Sequence, residues 1–238
     1  MNEGKNVVIT GASKGMGKNL AEKFFEAGYN LLLCARNEAQ LKSLASELKL
    51  KGSSNSVSYY IADLSDKKQA REFGDWILKQ NVSIDILINN AGQFLPGSIF
   101  NEKDGVFEQM LGINLSGAYH LTRVLLPKMM AERAGHIFNI CSIAALNAYP
   151  NGGSYSISKF ALMGFSKNLR EELKPYNIKV TAVYPGAVYT SSWEDSGVER
   201  NRIMETSDII DMIYAASCLS PQACVEEIVV RPQKGDIL

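Results

Sequence analysis

The chain lacks the features that mark nucleic-acid-binding, membrane and secreted proteins. Its 238 residues contain 25 Lys and Arg and 25 Asp and Glu, and the resulting net charge of zero gives no electrostatic reason to bind nucleic acid or an anionic membrane. No apolar run is long enough to cross a bilayer, and the amino terminus carries no apolar signal-peptide core. We therefore expect a cytoplasmic protein without nucleic-acid or membrane partners.

Metal ligands and paired cysteines are also scarce. The only imidazoles are those of His120 and His136, and neither has a second ligand at metal spacing, so we expect no metal site. No Cys-x-x-Cys pair occurs, and we interpret the cysteines as reduced core residues. The chain contains four of them, Cys34, Cys141, Cys218 and Cys224.

What the sequence does contain is an alternation of short apolar strands and amphipathic helices. A hydrophobic content of 46% is enough for one buried core, and nothing indicates a second domain. The pattern predicts an α/β fold, a doubly wound parallel sheet flanked by helices on both faces, as a single domain over 1–238. The predicted strands are 5–10, 30–35, 57–62, 84–88, 136–141, 178–183 and 225–230, and the predicted helices include 38–51, 66–80, 102–133 and 207–219.

The first predicted strand runs into a glycine-rich turn and then into a helix. The spacing Thr10-Gly11-x-x-x-Gly15-x-Gly17 differs from both the Gly-x-Gly-x-x-Gly fingerprint and the Walker loop. Glycines at such a turn let the backbone approach a pyrophosphate, whose charge is met by free amides at the helix N-terminus. The turn therefore indicates a dinucleotide site, with a simple glycine-rich connection as the alternative.

Two cations stand where the ribose 2′-phosphate of NADP(H) would lie. Arg36 ends the second strand, where an acidic residue would favour NAD, and Lys14 lies in the glycine turn. An arginine there accommodates a 2′-phosphate, so the pair points to NADP(H); solvated surface charges are the alternative. Asp63, at the end of the third strand, is a candidate acceptor for the adenine amino group or else a turn residue.

The stretch 142–159 combines three side chains suited to proton transfer. Tyr155 and Lys159 are four residues apart on a predicted helix, so the phenol and the ammonium project from one face. A nearby cation lowers the pKa of a phenol where water is excluded, which allows proton exchange near neutral pH. Ser142 follows a buried strand, at the edge where open α/β sheets place ligands. Asn114, within an apolar helical stretch, is either a core amide or part of a proton relay.

Taken together, these motifs strongly resemble the short-chain dehydrogenase/reductase family over nearly the whole chain. The matching residues are Thr10-Gly11-x-x-x-Gly15-x-Gly17, Asn89-Asn90-Ala91-Gly92, Asn114, Ser142, Tyr155-x-x-x-Lys159 and Pro185-Gly186-x-x-x-Thr190. The resemblance implies a Rossmann fold and an NADP(H)-dependent enzyme. It implies that Ser142 steadies the substrate carbonyl and that Tyr155 is the general acid or base. By the same resemblance, Lys159 binds the nicotinamide ribose and lowers the pKa of the tyrosine, and Asn114 supports a water-linked proton relay.

Cofactor contacts are implied along the whole carboxyl edge of the predicted sheet. Val188 and Thr190 would contact the nicotinamide carboxamide. The full implied set is Gly11, Ser13, Lys14, Gly15, Met16, Gly17, Arg36, Asn37, Asp63, Leu64, Asn90, Ala91, Gly92, Tyr155, Lys159, Pro185, Gly186, Val188 and Thr190.

The segment 187–206 is expected to form a substrate flap. Candidate substrate contacts are Ser142, Tyr149, Tyr155 and Trp193, with ordinary packing under a loop as the alternative for the flap aromatics. The segment after Pro185 and the chain ending resemble bacterial sepiapterin reductase-like members of the family. Asp236, in that ending, is a pterin anchor by position only, and a surface acid is the alternative.

We therefore predict NADPH-dependent reduction of a small-molecule ketone or aldehyde, with a pteridine side-chain carbonyl as one candidate. The alternatives are a 3-oxoacyl-(acyl-carrier-protein) reductase-type or alcohol dehydrogenase activity and, in another class, a non-catalytic NADP(H)-sensing protein. Family members commonly pair the helices around 105–133 and 152–174, which implies a homodimer or homotetramer. Phe160, Met163 and Phe165 would supply apolar surface for that pairing, or else face the sheet.

Overall fold

Short apolar runs form the strands of the protein, which a computed structural model describes over residues 4–52, 54–190 and 197–236. The central strands are buried along their whole length, as expected of a parallel sheet that helices cover on both faces. Within these residues there are seven strands, β1 (Asn6–Thr10), β2 (Asn30–Ala35), β3 (Val57–Ile61), β4 (Ile86–Asn89), β5 (His136–Ile140), β6 (Lys179–Pro185) and β7 (Glu227–Val230).

Amphipathic segments between the strands form the helices. In the same described ranges these are α1 (Gly15–Glu26), α2 (Glu38–Leu50), α3 (Lys67–Lys79), α4 (Val106–Leu111), α5 (Gly117–Glu132), α6 (Gly153–Leu173) and α7 (Thr206–Ser217). Asn37 and Asp66 begin α2 and α3, because each side chain accepts backbone N–H groups of the first turn. These caps place both helices directly after the carboxyl ends of β2 and β3.

All neighbouring strands pair in parallel, in the order β3-β2-β1-β4-β5-β6-β7. The doubly wound α/β prediction is therefore confirmed. Strand order reverses between β1 and β4, and in open sheets of this kind the crevice outside the carboxyl ends at such a point binds the ligand. The glycine turn after β1 and the Asn-Asn-Ala-Gly segment after β4 flank this crevice.

Alternate residues of each strand enter two separate cores, because successive side chains point to opposite faces. On one face Val7 and Ile9 of β1 pack in a cluster with residues of α1, α2 and α7. On the other face Val8 joins a cluster with residues of α3, α4, α5 and α6. The three-layer arrangement leaves the carboxyl edge of the sheet for the site.

The stretch 102–133, predicted as one long helix, differs from that expectation. A π-helical turn, Gly112–Ser116, separates α4 from α5, and residues before Gly105 are not helical. Gly117 lets the start of α5 pack against the chain at Leu64, since a Cβ on Gly117 would lie 2.6 Å from the Leu64 carbonyl oxygen. Such π turns often occur at functional positions, and Asn114 lies in this one.

Two further expectations concern cysteines and the apolar residues of α6. Cys34 and Cys141 are buried, but Cys218 is exposed just after α7, so its prediction as a core residue is wrong. Met163 and Phe165 pack against a buried cluster that includes Leu162 of α6 and Tyr184 of β6, whereas Phe160 is exposed. Among the described residues, no helix has the length and apolar character to cross a membrane, and no three potential metal-binding side chains come together.

Candidate active site

The glycines after β1 hold the chain in a shape that other residues would strain or obstruct. Gly11 and Gly15 have positive φ angles of 65° and 54°, a region that favours glycine. A Cβ on Gly17 would lie 2.1 Å from the Gly11 carbonyl oxygen, and one on Gly11 would lie 2.9 Å from the Ala91 Cα. Gly15 is different, since its nearest neighbour is the Thr190 side chain at 3.7 Å. The turn is thus packed tightly on one side and stays accessible at Gly15.

The first turn of α1 suits an anionic group. Lys14 precedes the helix with no side-chain cap, and the first turn contains no acidic residue. Free N–H groups at a helix N-terminus and the helix dipole favour negative charge there. Ser13 and Met16 lie partly exposed in the same turn, with Met16 packed against the core. These residues fit the diphosphate of a dinucleotide.

Thr10 and Asn90 fasten the glycine turn to the end of β4. The Thr10 hydroxyl accepts the backbone N–H groups of Asn90 and Ala91, both at 2.9 Å. The Asn90 amide donates to the carbonyl oxygens of Thr10 at 2.9 Å and Gly11 at 3.3 Å. Asn90, predicted as a cofactor contact, therefore holds the turn with its amide N–H groups.

Arg36 stands exposed at the end of β2, one strand away from the glycine turn. Its guanidinium lies 3.6 Å from an Asp63 carboxylate oxygen. The other Asp63 oxygen accepts the backbone N–H of Ser65 at 3.0 Å and its hydroxyl at 2.8 Å. Partial burial opposes ionisation, but these hydrogen bonds and the Arg36 cation together keep the pKa of Asp63 lowered. Asp63 is thus a turn residue in this structure, as the alternative interpretation held.

Two other predicted contacts have structural tasks at the same edge. The Asn37 side chain accepts the Gln40 N–H at 3.0 Å and caps α2. Leu64 is buried, and its carbonyl oxygen lies against Gly117. Any cofactor contact by these two residues therefore uses the backbone or the remaining surface of the side chain.

The segment after β6 closes over the glycine turn. Gly186 donates its N–H to the Val230 carbonyl oxygen at 2.8 Å, which ties Pro185 and the end of β6 to β7. Val188 is buried and bridges to Met204. Thr190 then approaches Gly15. This path brings the predicted nicotinamide segment next to the predicted diphosphate turn.

The Ser142 hydroxyl and the Tyr155 phenol come together at the carboxyl edge of β5. Ser142 begins a 3₁₀ turn, and its oxygen accepts the Ala144 N–H at 3.1 Å. This hydroxyl is near enough to the Tyr155 phenol to offset part of the effect of burial on the phenol's pKa. The two hydroxyls can thus face a single oxygen atom of a ligand.

Lys159 lies one helical turn beyond Tyr155 and is 4% exposed. Its Nζ donates to the Ile140 carbonyl oxygen at 2.9 Å and sits 5.8 Å from the centre of the Tyr155 ring. A Cβ on Gly92 would lie 3.4 Å from this Nζ and 3.1 Å from Asn114 Oδ1. Gly92 therefore lets the chain after β4 pass directly beside the ammonium group.

Burial sets the pKa values of both groups. It raises the pKa of Tyr155 to about 12 and lowers the pKa of Lys159 to about 8. The expected lowering of the tyrosine pKa by the lysine is opposite to the direction found. The reason is that burial, the largest influence on the phenol, disfavours its ionised form.

Asn114 is 1% exposed and uses its amide to join two parts of the site. Its Oδ1 accepts the Gln93 N–H at 2.8 Å, and its Nδ2 donates to the Gln93 carbonyl oxygen at 3.0 Å. The same Nδ2 donates to the Ser158 hydroxyl at 2.9 Å. The core-amide interpretation describes these contacts, which fix the loop after β4 against α6.

Sequence reasoning missed two side chains of that loop. Phe94 stands edge-on to Tyr155, with 4.8 Å between ring centroids. The Glu102 carboxylate accepts the Ser154 N–H at 2.8 Å and also the Ser154 hydroxyl, at the start of α6. The only signals in the sequence are that Phe94 lies soon after a predicted site segment and that Glu102 is the first residue of the predicted helix 102–133.

The other predicted substrate contacts, Tyr149, Trp193 and Asp236, differ in their surroundings. Tyr149 is half-buried, and burial raises its pKa; Trp193 lies outside the described residues. Asp236 pairs with Arg231 and approaches Gly186. The pairing with Arg231 agrees with Asp236 as a surface acid, and it also places that acid beside the segment after β6.

Similar proteins share this architecture over the full chain. The model of a family described as short chain dehydrogenase matches residues 5–201. A sepiapterin reductase from Chlorobaculum tepidum is 33% identical over 239 residues, covering 97% of each chain.

Two solved structures show the same fold. A metagenomic short-chain oxidoreductase in complex with NADP has a TM-score of 0.85 at 29% identity, covering 97% of this chain and 98% of that one. L-sorbose reductase from Gluconobacter frateurii, in complex with NADPH and L-sorbose, has a TM-score of 0.87 at 26% identity, covering 96% and 95%. The fold is thus common to all three chains.

Proposed function

The chain belongs to the short-chain dehydrogenase/reductase family, and on that premise we propose that it uses NADPH to reduce the carbonyl group of a small ketone or aldehyde. The observation that carries the proposal is the meeting of the Ser142 hydroxyl and the Tyr155 phenol beside buried Lys159. Two neighbouring hydroxyl donors suit a carbonyl oxygen on which negative charge develops.

Bound NADPH supplies the hydride that reaches the carbonyl carbon. Ser142 donates a hydrogen bond to the carbonyl oxygen, and Tyr155 transfers its phenolic proton to that oxygen. The pKa of Tyr155, raised by burial to about 12, keeps the phenol protonated at neutral pH. A protonated phenol is the form that donates the proton when a carbonyl is reduced. Lys159 holds the nicotinamide ribose, while Asn114 steadies the loop against α6.

Cofactor selectivity rests on Lys14 and Arg36 at neighbouring strand ends. We expect wild-type protein to bind NADPH more tightly than NADH, and Arg36→Ala to reduce that preference by about 10- to 100-fold, the worth of a charge-assisted phosphate contact. Nucleotide fluorescence titration measures both affinities. Lys49→Ala is the matched control, because it removes a cation at the far end of α2. Equal affinities in wild type, or an unchanged preference in Arg36→Ala, would contradict this assignment.

A pteridine side-chain carbonyl is the candidate substrate with specific support. The support is the similarity, over 97% of each chain, to a protein named sepiapterin reductase, together with Asp236 beside the segment after β6. Parallel assays with sepiapterin and 2,3-butanedione test it. Turnover of the diketone with none of sepiapterin would remove the pteridine candidate and leave the reductase proposal in place.

The remaining parts of the proposal concern assembly and the flap. Residues 187–206 act as a substrate flap, of which 191–196 lie outside the described residues; the position of Thr190 beside Gly15 supports this role. A homodimer or homotetramer forms through α4, α5 and α6, where Phe107, Tyr119 and Phe160 are exposed. Light scattering of the purified protein measures the mass, and a monomer at micromolar concentration would contradict the assembly.

A further inference from the structure

An exposed aromatic ring stands against the phenol of Tyr155. The rings of Phe94 and Tyr155 meet edge-on, with an interplanar angle of 75°, and Phe94 is 49% exposed. Exposed apolar side chains are common on proteins, so exposure alone indicates little. What matters is the position, because the Phe94 ring contacts the ring of the residue that donates the proton. This contact places an exposed aromatic side chain at the proton-donating residue.

Hydrogen bonds on both sides of Phe94 fix its position. The backbone of the preceding residue, Gln93, is held from both its N–H and its carbonyl oxygen by Asn114, at 2.8 Å and 3.0 Å. Further along, Gly97 donates its N–H to the Asn151 carbonyl oxygen at 3.1 Å. The backbone on both sides of Phe94 is therefore held in place before a ligand arrives, and binding does not have to order it.

We propose that Phe94 determines specificity by stacking on a planar aromatic or heteroaromatic ring bonded to the carbonyl carbon of the substrate. This inference rests on the proposed carbonyl reduction, since Tyr155 must then reach the carbonyl oxygen. A ring bonded to the carbonyl carbon, two bonds from that oxygen, can come alongside Phe94, and aromatic pairs gain energy beyond simple area burial. Tyr149 adds a second half-buried ring close to Tyr155. A compact aliphatic substituent leaves the face of Phe94 in water.

A matched pair of diketones tests the inference. The kcat/KM for 1-phenyl-1,2-propanedione relative to 2,3-butanedione is measured with NADPH for wild type, Phe94→Ala and Phe94→Leu. We expect the relative value to fall about ten-fold in both variants, because reduction of the aryl diketone loses more than reduction of 2,3-butanedione. Leucine preserves apolar volume without a planar face, so it also serves if the alanine variant does not fold. Phe100→Ala, 89% exposed in the same loop, is the control and leaves both values unchanged.

A binding measurement separates this inference from the reductase proposal. Saturation-transfer NMR with acetophenone and 2-butanone, in the presence of NADP⁺, reports whether the aryl ring contacts the protein without turnover. Transfer to the acetophenone ring that is lost in both Phe94 variants supports the inference, even if wild type reduces neither diketone and the reductase proposal fails. The inference is overturned if both diketones lose activity by the same factor, if their ratio does not change, or if aryl transfer is equal in wild type and variants.

Discussion

A buried titratable side chain lies at each end of strand β5: His136 of the strand itself and Lys159 of α6. The two side chains differ in their surroundings. At the amino end His136 is 3% exposed, and burial lowers its pKa to about 3. At the carboxyl end the Ile140 carbonyl oxygen accepts a hydrogen bond from Lys159, whose pKa burial lowers to about 8. The cause of the shift is the same at both ends, so the shift itself does not separate a site from a structural residue.

The surroundings make that separation. The Thr181 hydroxyl donates to the Val225 carbonyl oxygen, so it accepts from His136 Nε2 at 2.7 Å and fixes the tautomer. Phe138 stacks on the imidazole, and the amino end is closed. At the carboxyl end, a second proton-bearing group, Tyr155, stands beside Lys159 and a half-exposed ring. A buried titratable group becomes a candidate for chemistry when a reactive partner and an open side accompany it.

Replacing Tyr155 with Phe should give the largest difference between the two ends. The change removes the proton donor and keeps the ring, so kcat/KM for carbonyl reduction should fall by about 10²- to 10⁴-fold. NADPH affinity, measured by fluorescence titration, should stay close to the wild-type value because the glycine turn and Arg36 are untouched. Steady-state assays with 2,3-butanedione give the first quantity. Wild-type turnover in this variant would remove Tyr155 from the proposed chemistry.

His136→Gln probes the other end through acid stability. The folded protein disfavours the imidazolium, since the pKa of His136 is lowered from 6.5 to about 3, whereas the unfolded chain binds the proton. Stability is therefore lost as the pH falls from 6.5 towards 3, by about 2 kcal/mol at pH 5. Glutamine does not titrate and can still donate to Thr181, so this part of the pH dependence should disappear.

Urea unfolding at pH 7 and pH 5 measures the difference for wild type and variant. Catalytic rates at pH 7 should be unchanged in His136→Gln, which makes it the control for the Tyr155 variant. Equal loss of stability in the two proteins on acidification would show that other groups set the acid response. A large loss of activity at pH 7 would contradict the distinction between the two ends.

The sequence predicted those parts of the molecule whose cause is local. Apolar runs indicate the strands and helices directly, and the glycine at position 15 reflects a backbone angle that its own residue adopts. The parallel, doubly wound sheet follows from their alternation. Ser142, Tyr155 and Lys159 were singled out because strand-end position and helical spacing are visible along the chain.

Contacts between distant segments were not predictable in the same way. The pairing of Asn114 with Gln93 joins residues 21 positions apart, and no periodicity records it. The direction of the Tyr155 pKa shift depends on how deeply the phenol and its lysine are buried, which only packing decides. The interruption between α4 and α5 also escaped, because the apolar period continues through the π turn.

Glu102 offers the smallest effect and the finest test of the comparison, because it stabilises the helix that carries Tyr155 from 52 residues away. Gly152 provides no side-chain cap for α6, and the carboxylate supplies one. Glu102→Ala should lower the free energy of unfolding by about 1 kcal/mol, and Glu102→Gln by less, since it keeps the acceptor and loses the charge.

If Glu102 also positions the phenol, kcat falls several-fold in Glu102→Ala and recovers in Glu102→Gln, whereas KM for NADPH does not move. Exposed Glu108 on α4 is the control for removal of a carboxylate. A loss of stability with unchanged kcat would place Glu102 with His136, as a residue that maintains the fold without acting on the site.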